Sequence, residues 1–426
     1  MSGFFPAQHG VKYTLEEDMP AKQGYPQVEL PLDLKNIATV MSAAGYTVVY
    51  KGKWHCSKPN GKHFVRIDLQ RYGFQRWDPP DAGANQELDQ TGGGYADNDG
   101  RFMNEDGQWQ AGKEGALAYL GSVAATQQPF CMIISLVNPH DVLLYPRTYL
   151  EAGYTDAALL GNIGIPQTNV EVLSTKPIVQ TEFLALSIPG LGALPSLPMK
   201  QDYLNFYGNL MIASDNYLRR VLAVLEQQNL TNDTLIIFTS DHGEMGLTHN
   251  GQRQKNFNFY EESIRIPLVY SNPLLYPTAL QSNALVFHVD FLPTIASLFN
   301  APSQTRANWQ GVDYSSLVLN LSAPPVQDYT VFTYDDYQSG QKSGPYPTPP
   351  NHIVSIREER YKLAEYYDAN GVVPSQWEMY DLRDDPLEVT NIAWPSYQRT
   401  PEQQIQYDRL RLKLQYVKSS RLQPLG

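Results

Sequence analysis

The chain has 426 residues, 42% of them hydrophobic, which is enough to bury a large core, and its 18% charged content is too low for wholesale disorder. A formal charge of −12 argues against nucleic acid or an anionic membrane surface as a general partner, while a small anionic ester could still sit in a locally basic pocket. No apolar run is long enough to span a bilayer, so no membrane partner is expected. Cys56 and Cys131 are the two cysteines, which excludes a disulfide framework and a cysteine zinc cluster; one bridge or two buried thiols would fit, and buried thiols are the expected state. The 28 tyrosines, 30 glycines and 31 prolines suggest long structured loops over a rigid scaffold. Asn229-Leu-Thr, Asn232-Asp-Thr and Asn320-Leu-Ser fit glycosylation acceptors, but such triplets arise often by chance. The first residues, MSGFFPAQHGV, lack a basic leader and an apolar core and do not read as a signal peptide; the compartment stays open.

In chain order, residues 31–44 carry Leu34, Ile37, Met41 and Ala44 at helical spacing, with Gly45 placed to end the helix. Residues 46–50 (YTVVY) predict a buried strand running straight into Gly52-Lys53-Trp54-His55. Residues 56–128, including GGGYADNDG, read as loops with a short helix near 113–125. A second apolar strand, 130–137 (FCMIISLV), ends in Asn138-Pro139-His140-Asp141. Residues 142–200 show no clear period and are expected to form an insertion over one face. Leu204, Tyr207, Met211, Leu218, Leu222 and Leu225 form one stripe of a long helix over 202–228. A third strand, 235–239 (LIIFT), stops at Ser240-Asp241-His242-Gly243. Helices alternating with apolar strands indicate an α/β fold with a mainly parallel sheet sandwiched by helices. From about 325, the runs YTVFTY, HIVSIREERYKLAEYY and EMYDL predict a small antiparallel sheet packed by a helix over 401–417. The expected division is a catalytic α/β domain over 1–324 and a C-terminal α+β subdomain over 325–426.

Three segments share one pattern: a buried strand stops, and residues able to bind a metal or an anion follow at once. Carboxyl ends of strands in an open α/β sheet converge on one crevice, so Lys53 and His55, His140, and Asp241 with His242 are expected to meet. Each signal alone has a bland explanation: a solvated loop, a hydrogen-bonded turn, a helix cap. Together they suit an anionic ester, whose charge cations can neutralise.

Gly45-Tyr46-Thr47 through Gly52-Lys53-Trp54-His55 resembles the sulfatase segment GYxTxxxGKWH, and Asn138-Pro139-His140-Asp141 resembles NPHxP, with Val142 in place of the customary polar residue or proline. Thr239 to Met245 is similar to TSDHGxxxG; His249, Arg253-Gln254-Lys255 and then Tyr260 to Pro267 follow, the last as in YEESIRVP. FHVDFLPTIASL over 287–298 and Tyr380-Asp381-Leu382 with Asp384-Asp385-Pro386 complete the match, which runs from residue 1 to about 395. The chain thus resembles the sulfatase family of the alkaline phosphatase superfamily, with an alkaline phosphatase-like fold. The resemblance implies sulfate-monoester hydrolysis through a divalent cation and a formylglycine made from Cys or Ser. Asp241 and His242 match metal ligands; a histidine at the second position suits Mn²⁺ or Zn²⁺ better than an all-oxygen site would, and Ca²⁺ stays open. Lys53 and Lys255 match the lysines that grip the anion, His55 the residue that orients the hydrated aldehyde and takes its proton, and His140 the acid for the leaving oxygen.

One departure outweighs these matches. Family members carry Cys/Ser-x-Pro-x-Arg and, upstream of it, a strand ending in paired Asp ligands; MSGFFPAQHGV resembles the segment that follows that motif. Ser57-Lys58-Pro59-Asn60 imitates it superficially, but Gly61 stands where Arg belongs and a loop is expected. The expectation is a fragment without nucleophile, activating Arg or half of the metal ligands, and so inactive by itself, with exposed strand edges. Alternatives are a phosphonate monoester hydrolase or phosphodiesterase, and a catalytically dead binding protein of the same fold.

Overall fold

The computed structural model describes residues 1–16, 27–82, 99–104, 113–122, 128–306, 308–341 and 343–425. Strand β1 (Thr47–Gly52) pairs in parallel with β2 (Phe130–Ser135), from Thr47 opposite Phe130 to Gly52 opposite Ser135. Strand β3 (Ile236–Thr239) pairs with β4 (Leu268–Ser271), but antiparallel, from Ile236 opposite Ser271 to Thr239 opposite Leu268. Among the described residues the two pairs form separate two-stranded sheets, so the parallel ladder is that of β1 and β2, extended by one isolated parallel bridge between Val49 and Gln75. The sequence did not announce β4: four residues directly after Pro267, with Val269 half exposed, show no usable period.

Short polar caps set the helix starts. The expected helix over 31–44 begins only at Ile37, because the Asn36 side chain accepts from Ala38 N at 2.8 Å and Thr39 N at 3.2 Å. Its buried face of Ile37, Ala38, Val40 and Met41 packs with Val48 and Tyr50 of β1 and with Leu292, Ile295 and Ala296 of the helix His288–Leu298. The expected helix near 113–125 is Ala116–Gly121; residues 123–127 and most of GGGYADNDG lie outside the described residues. Within 142–200 stands a helix, Ile178–Leu191, that the sequence reading missed; it is apolar on all sides, so no stripe marks it. The long helix runs Leu197–Gln227 from a Ser196 cap.

The C-terminal sheet is antiparallel in the order β5 (Thr330–Tyr334), β6 (His352–Arg357), β7 (Tyr361–Tyr367), β8 (Gln376–Asp381). One face buries Val354, Ile356, Leu363 and Met379 against Leu410, Leu414 and Val417 of the helix Pro401–Arg421. The other face sets Ile353, Ala364, Tyr366 and Tyr380 against Met245, Phe257, Phe259 and Tyr260. That second contact bears on function, because residues 245–260 also carry Lys255.

Candidate active site

The end of β1 is fixed by a close approach. Gly52 has φ +98, and a Cβ there would lie 2.0 Å from the Ser135 carbonyl oxygen, so β1 and β2 can separate here only at a glycine. Lys53 N donates to that same oxygen at 2.9 Å. Trp54 then turns inward, edge-on to Tyr50 at 5.5 Å and Phe74 at 5.3 Å, which leaves Lys53 and His55 half-buried on either side of it. His55 adopts a left-handed φ of 50, and its Nε2 meets the Leu15 carbonyl, so Nε2 carries the hydrogen and Nδ1 is the acceptor. The two N–H groups of Trp54 and His55 each donate to Asp81, both at 2.7 Å.

The end of β2 repeats this arrangement. Val137 N and Asn138 N donate to Asp99 at 2.6 and 3.1 Å, and His140 N closes a turn on the Val137 carbonyl at 3.2 Å. The His140 Nδ1 is buried with no hydrogen-bond partner among the described residues. Next to it Asp141 is fully buried; Tyr154 donates to one oxygen at 2.5 Å and the other has no hydrogen-bond partner among the described residues. Burial pushes the Asp141 carboxyl well above the usual range.

Beyond β3, Ser240 Oγ donates to the His242 carbonyl at 2.7 Å and His242 N donates to Asp241 Oδ1 at 2.9 Å. His242 Nδ1 donates to the Gly243 carbonyl at 2.8 Å, which leaves the Nε2 lone pair 3.4 Å from Asp241 Oδ2. Gly243 is needed because a Cβ there would lie 1.9 Å from the Glu262 carbonyl oxygen. The chain then folds back: Met245 N to Gln254 O and Leu247 N to Gln252 O, both 2.9 Å, make a hairpin. Glu244 braces it, accepting from Gln254 N at 2.8 Å and Tyr203 OH at 2.7 Å. Lys255 follows directly.

The structure therefore brings all six residues, Lys53, His55, His140, Asp241, His242 and Lys255, within electrostatic reach of one another. Burial, then Lys53, pushes His55 down to about 4, with Lys255 adding to the effect. Burial, then Lys255, lowers His242 to about 4. His140 falls well below its ordinary value through burial and the charges of Lys53 and Lys255. Lys255 is lowered by burial and by Lys53. The cleft walls favour a neutral Asp241, but His242, Lys53 and Lys255 outweigh them and hold its carboxylate below the usual range. The result is a neutral histidine set beside two lysines, a surface short of negative charge.

A model of the family described as "Sulfatase" matches residues 1–301. The chain belongs to the sulfatase family. A second model, "N-sulphoglucosamine sulphohydrolase, C-terminal", matches residues 250–419. The chain is 31% identical over 196 residues to the N-acetylglucosamine-6-O-sulfatase of Bacteroides thetaiotaomicron, covering 45% of this chain and 32% of that protein. It is 24% identical over 366 residues to the ulvan-active sulfatase of Formosa agariphila, covering 85% of this chain and 62% of that one. The chain thus spans less than two thirds of the length of either relative. The phosphonate monoester hydrolase of Silicibacter pomeroyi superposes with a TM-score of 0.66 at 18% identity, covering 99% of this chain and 84% of that chain. This likeness gives the fold: the alkaline phosphatase-like α/β architecture, with its parallel strands and its C-terminal antiparallel sheet and helix.

Members of the sulfatase family are sulfuric ester hydrolases, and their chemistry asks for a cation. Asp241, ionised, and the free Nε2 of His242 are a compatible oxygen and nitrogen pair. Two donors do not make a divalent site, which takes four or more, and among the described residues no group of three or more His, Cys, Asp or Glu could hold a metal. The described residues alone therefore do not fit a resident metal. Ser57 to Asn60 form a loop, and Cys56 and Cys131 are free thiols, half-buried rather than buried, each pushed up to about 12 by burial. The sequence reading missed Asp81, Asp99, Glu244 and Asp141; Asp141, adjoining His140, and Glu244, within Thr239 to Met245, lay inside motifs, whereas Asp81 and Asp99 did not.

Proposed function

We propose that the chain is the anion-binding and acid-bearing part of a sulfatase that hydrolyses sulfate monoesters of sugars, with the formylglycine nucleophile, its activating Arg and the remaining metal donors lying outside this sequence. The carrying observation is the convergence of Lys53, Lys255, His55, His140, Asp241 and His242 at one rim, where burial and the lysine charges lower His55, His140 and Lys255. The sugar assignment is supported by the relatives' names and by the sulphoglucosamine C-terminal model. A divalent metal and formylglycine would supply, in the whole protein, the nucleophile and its activation. Asp241 and His242 would be two of the metal's donors.

The chain's own residues suggest a division of labour. Lys53 and Lys255 grip the sulfate oxygens as compact point charges. His140 is held neutral, because a proton there would be buried beside two lysine charges. A bound anion cancels those charges, lets His140 take up a proton, and so primes it to protonate the leaving alcohol oxygen. His55, with Nε2 occupied by Leu15, offers Nδ1 as a proton acceptor to a group bound beside it.

The overall reading is tested upstream. The reading frame preceding this segment should encode Cys/Ser-x-Pro-x-Arg, and the extended protein should hydrolyse a glucosamine 6-sulfate faster than a phenyl phosphonate ester. A frame without the motif would favour the dead binding protein. A preference for the phosphonate would favour the phosphonate monoester hydrolase reading, which the structural likeness to that enzyme supports.

A further inference from the structure

Where β1 and β2 leave their ladder, each chain exposes two successive N–H groups, and each pair is taken by a single buried carboxylate. Asp81 Oδ1 accepts from Trp54 N and Oδ2 from His55 N; Asp99 Oδ1 accepts from Val137 N and Oδ2 from Asn138 N. The two acids are 0% and 2% exposed. Both belong to the connection between β1 and β2, yet neither lies on a strand. Water would satisfy such N–H groups at a loop, whereas burying a carboxylate is costly unless its hydrogen bonds repay it. We infer that Asp81 and Asp99 are positioning residues, which set the orientation of Lys53 and His55 and of His140 respectively by fixing two peptide planes at each strand end.

Two observations show that these positions need fixing. His55 holds a left-handed φ of 50, which strains a non-glycine residue and persists only where surroundings over-determine it. Asp81 grips it from the backbone and Leu15 from the ring. Among the described residues His140 has no hydrogen-bond partner at Nδ1, and its main chain is tied through Val137: the Val137 carbonyl accepts from His140 N while the Val137 N–H is held by Asp99. Asn is the informative replacement at either acid. It keeps the shape, removes one of two acceptors and turns an NH₂ group toward an N–H donor.

The inference rests on the reading of Lys53, His55 and His140 as the sulfate site, and the experiment separates the two. Asp81→Asn and Asp99→Asn are made in this chain, and the histidine ring resonances are followed by NMR alongside inorganic sulfate binding by calorimetry. Asp81→Asn should shift His55 and leave His140 in place, Asp99→Asn the reverse, and each should weaken sulfate about tenfold. Both variants moving both rings alike, or neither ring moving, overturns the inference in favour of general structural support. The unsubstituted protein provides an independent check should either variant not fold: the amide protons of Trp54, His55, Val137 and Asn138 should be protected from exchange, and rapid exchange at these four overturns the clamps. Selective ring shifts in a protein that binds no sulfate would uphold the clamps and remove the sulfate site.

Discussion

Two regions of this molecule use the same charged residue types in opposite ways. Behind the C-terminal sheet, Lys362 is fully buried with Glu388 at 2.6 Å and Glu261 at 3.3 Å, and Lys176 meets Glu171 at 3.1 Å. Glu378, also fully buried, accepts from Tyr380 at 2.6 Å, Tyr366 at 2.5 Å and Gln180 at 3.0 Å. Here each charge faces an opposite charge or a donor. At the rim, Lys53 and Lys255 sit among His55, His140 and His242 with Asp241 held ionised beside them, and burial together with the lysine charges lowers the three histidines and Lys255. A satisfied network holds the fold together. A surplus of one sign, kept half-buried by costly backbone geometry, waits for a ligand of the other sign.

The largest expected effect lies in the first region. Lys362→Met leaves Glu388 buried without its cation and should cost about 3–5 kcal/mol in guanidinium unfolding. Lys53→Met relieves repulsion instead: stability should stay within about 0.5 kcal/mol of the parent while sulfate affinity, read by calorimetry, drops at least about tenfold. Equal destabilisation by the two substitutions would break the distinction between the regions. A smaller effect sits where they meet. His249, which stacks on Tyr260 at 3.7 Å, has Nδ1 at 2.6 Å from Glu171 and Nε2 at 3.7 Å from Glu262. Burial opposes its protonation, but the two glutamates outweigh burial and raise its pKa. A raised folded-state value means that the stabilisation is complete below the unfolded value of about 6.5 and is lost as pH rises through the folded one, with a slope of at most about 1.4 kcal/mol per pH unit. Melting temperatures measured across that window should fall with pH, and His249→Gln should flatten the decline. A slope unchanged in His249→Gln would assign it to another group.

The rim was legible in the sequence where its residues follow an apolar strand, Lys53 after YTVVY, His140 after FCMIISLV and Asp241 after LIIFT, whereas Lys255, behind a hairpin, was legible only through the family resemblance. The glycines of those motifs also have local causes that a sequence pattern preserves, namely the Ser135 carbonyl beside Gly52 and the Glu262 carbonyl beside Gly243. Asp81 and Asp99 were invisible for the converse reason. Their partners are backbone N–H groups some 26 to 39 positions away, and a backbone amide leaves no mark on residue identity. The helix Ile178–Leu191 escaped because apolar residues all round give no period, and β4 because four residues are too few to show one. The terminal sheet read well: its strands are runs rich in β-branched and aromatic residues, and its helix carries a stripe of Leu410, Leu414 and Val417.

The smallest expected effect tests whether the rim is insulated from the far face of that sheet. Thr400 caps the helix Pro401–Arg421: its Oγ1 accepts from Gln403 N at 3.2 Å, while the Gln403 side chain accepts from Thr400 N at 2.9 Å. Thr400→Ala removes the side-chain half of this box and should cost about 1 kcal/mol. The helix packs on the face of the sheet opposite to Phe257 and Tyr260, so fraying its first turn loosens contacts to β6 and β7 without touching the segment that carries Lys255. Thr400→Ser should restore the melting temperature, and neither variant should change sulfate affinity. A loss of affinity in Thr400→Ala that Thr400→Ser reverses would mean that the sheet transmits strain from its outer helix to Lys255, and the satisfied region would then be setting the geometry of the unsatisfied one.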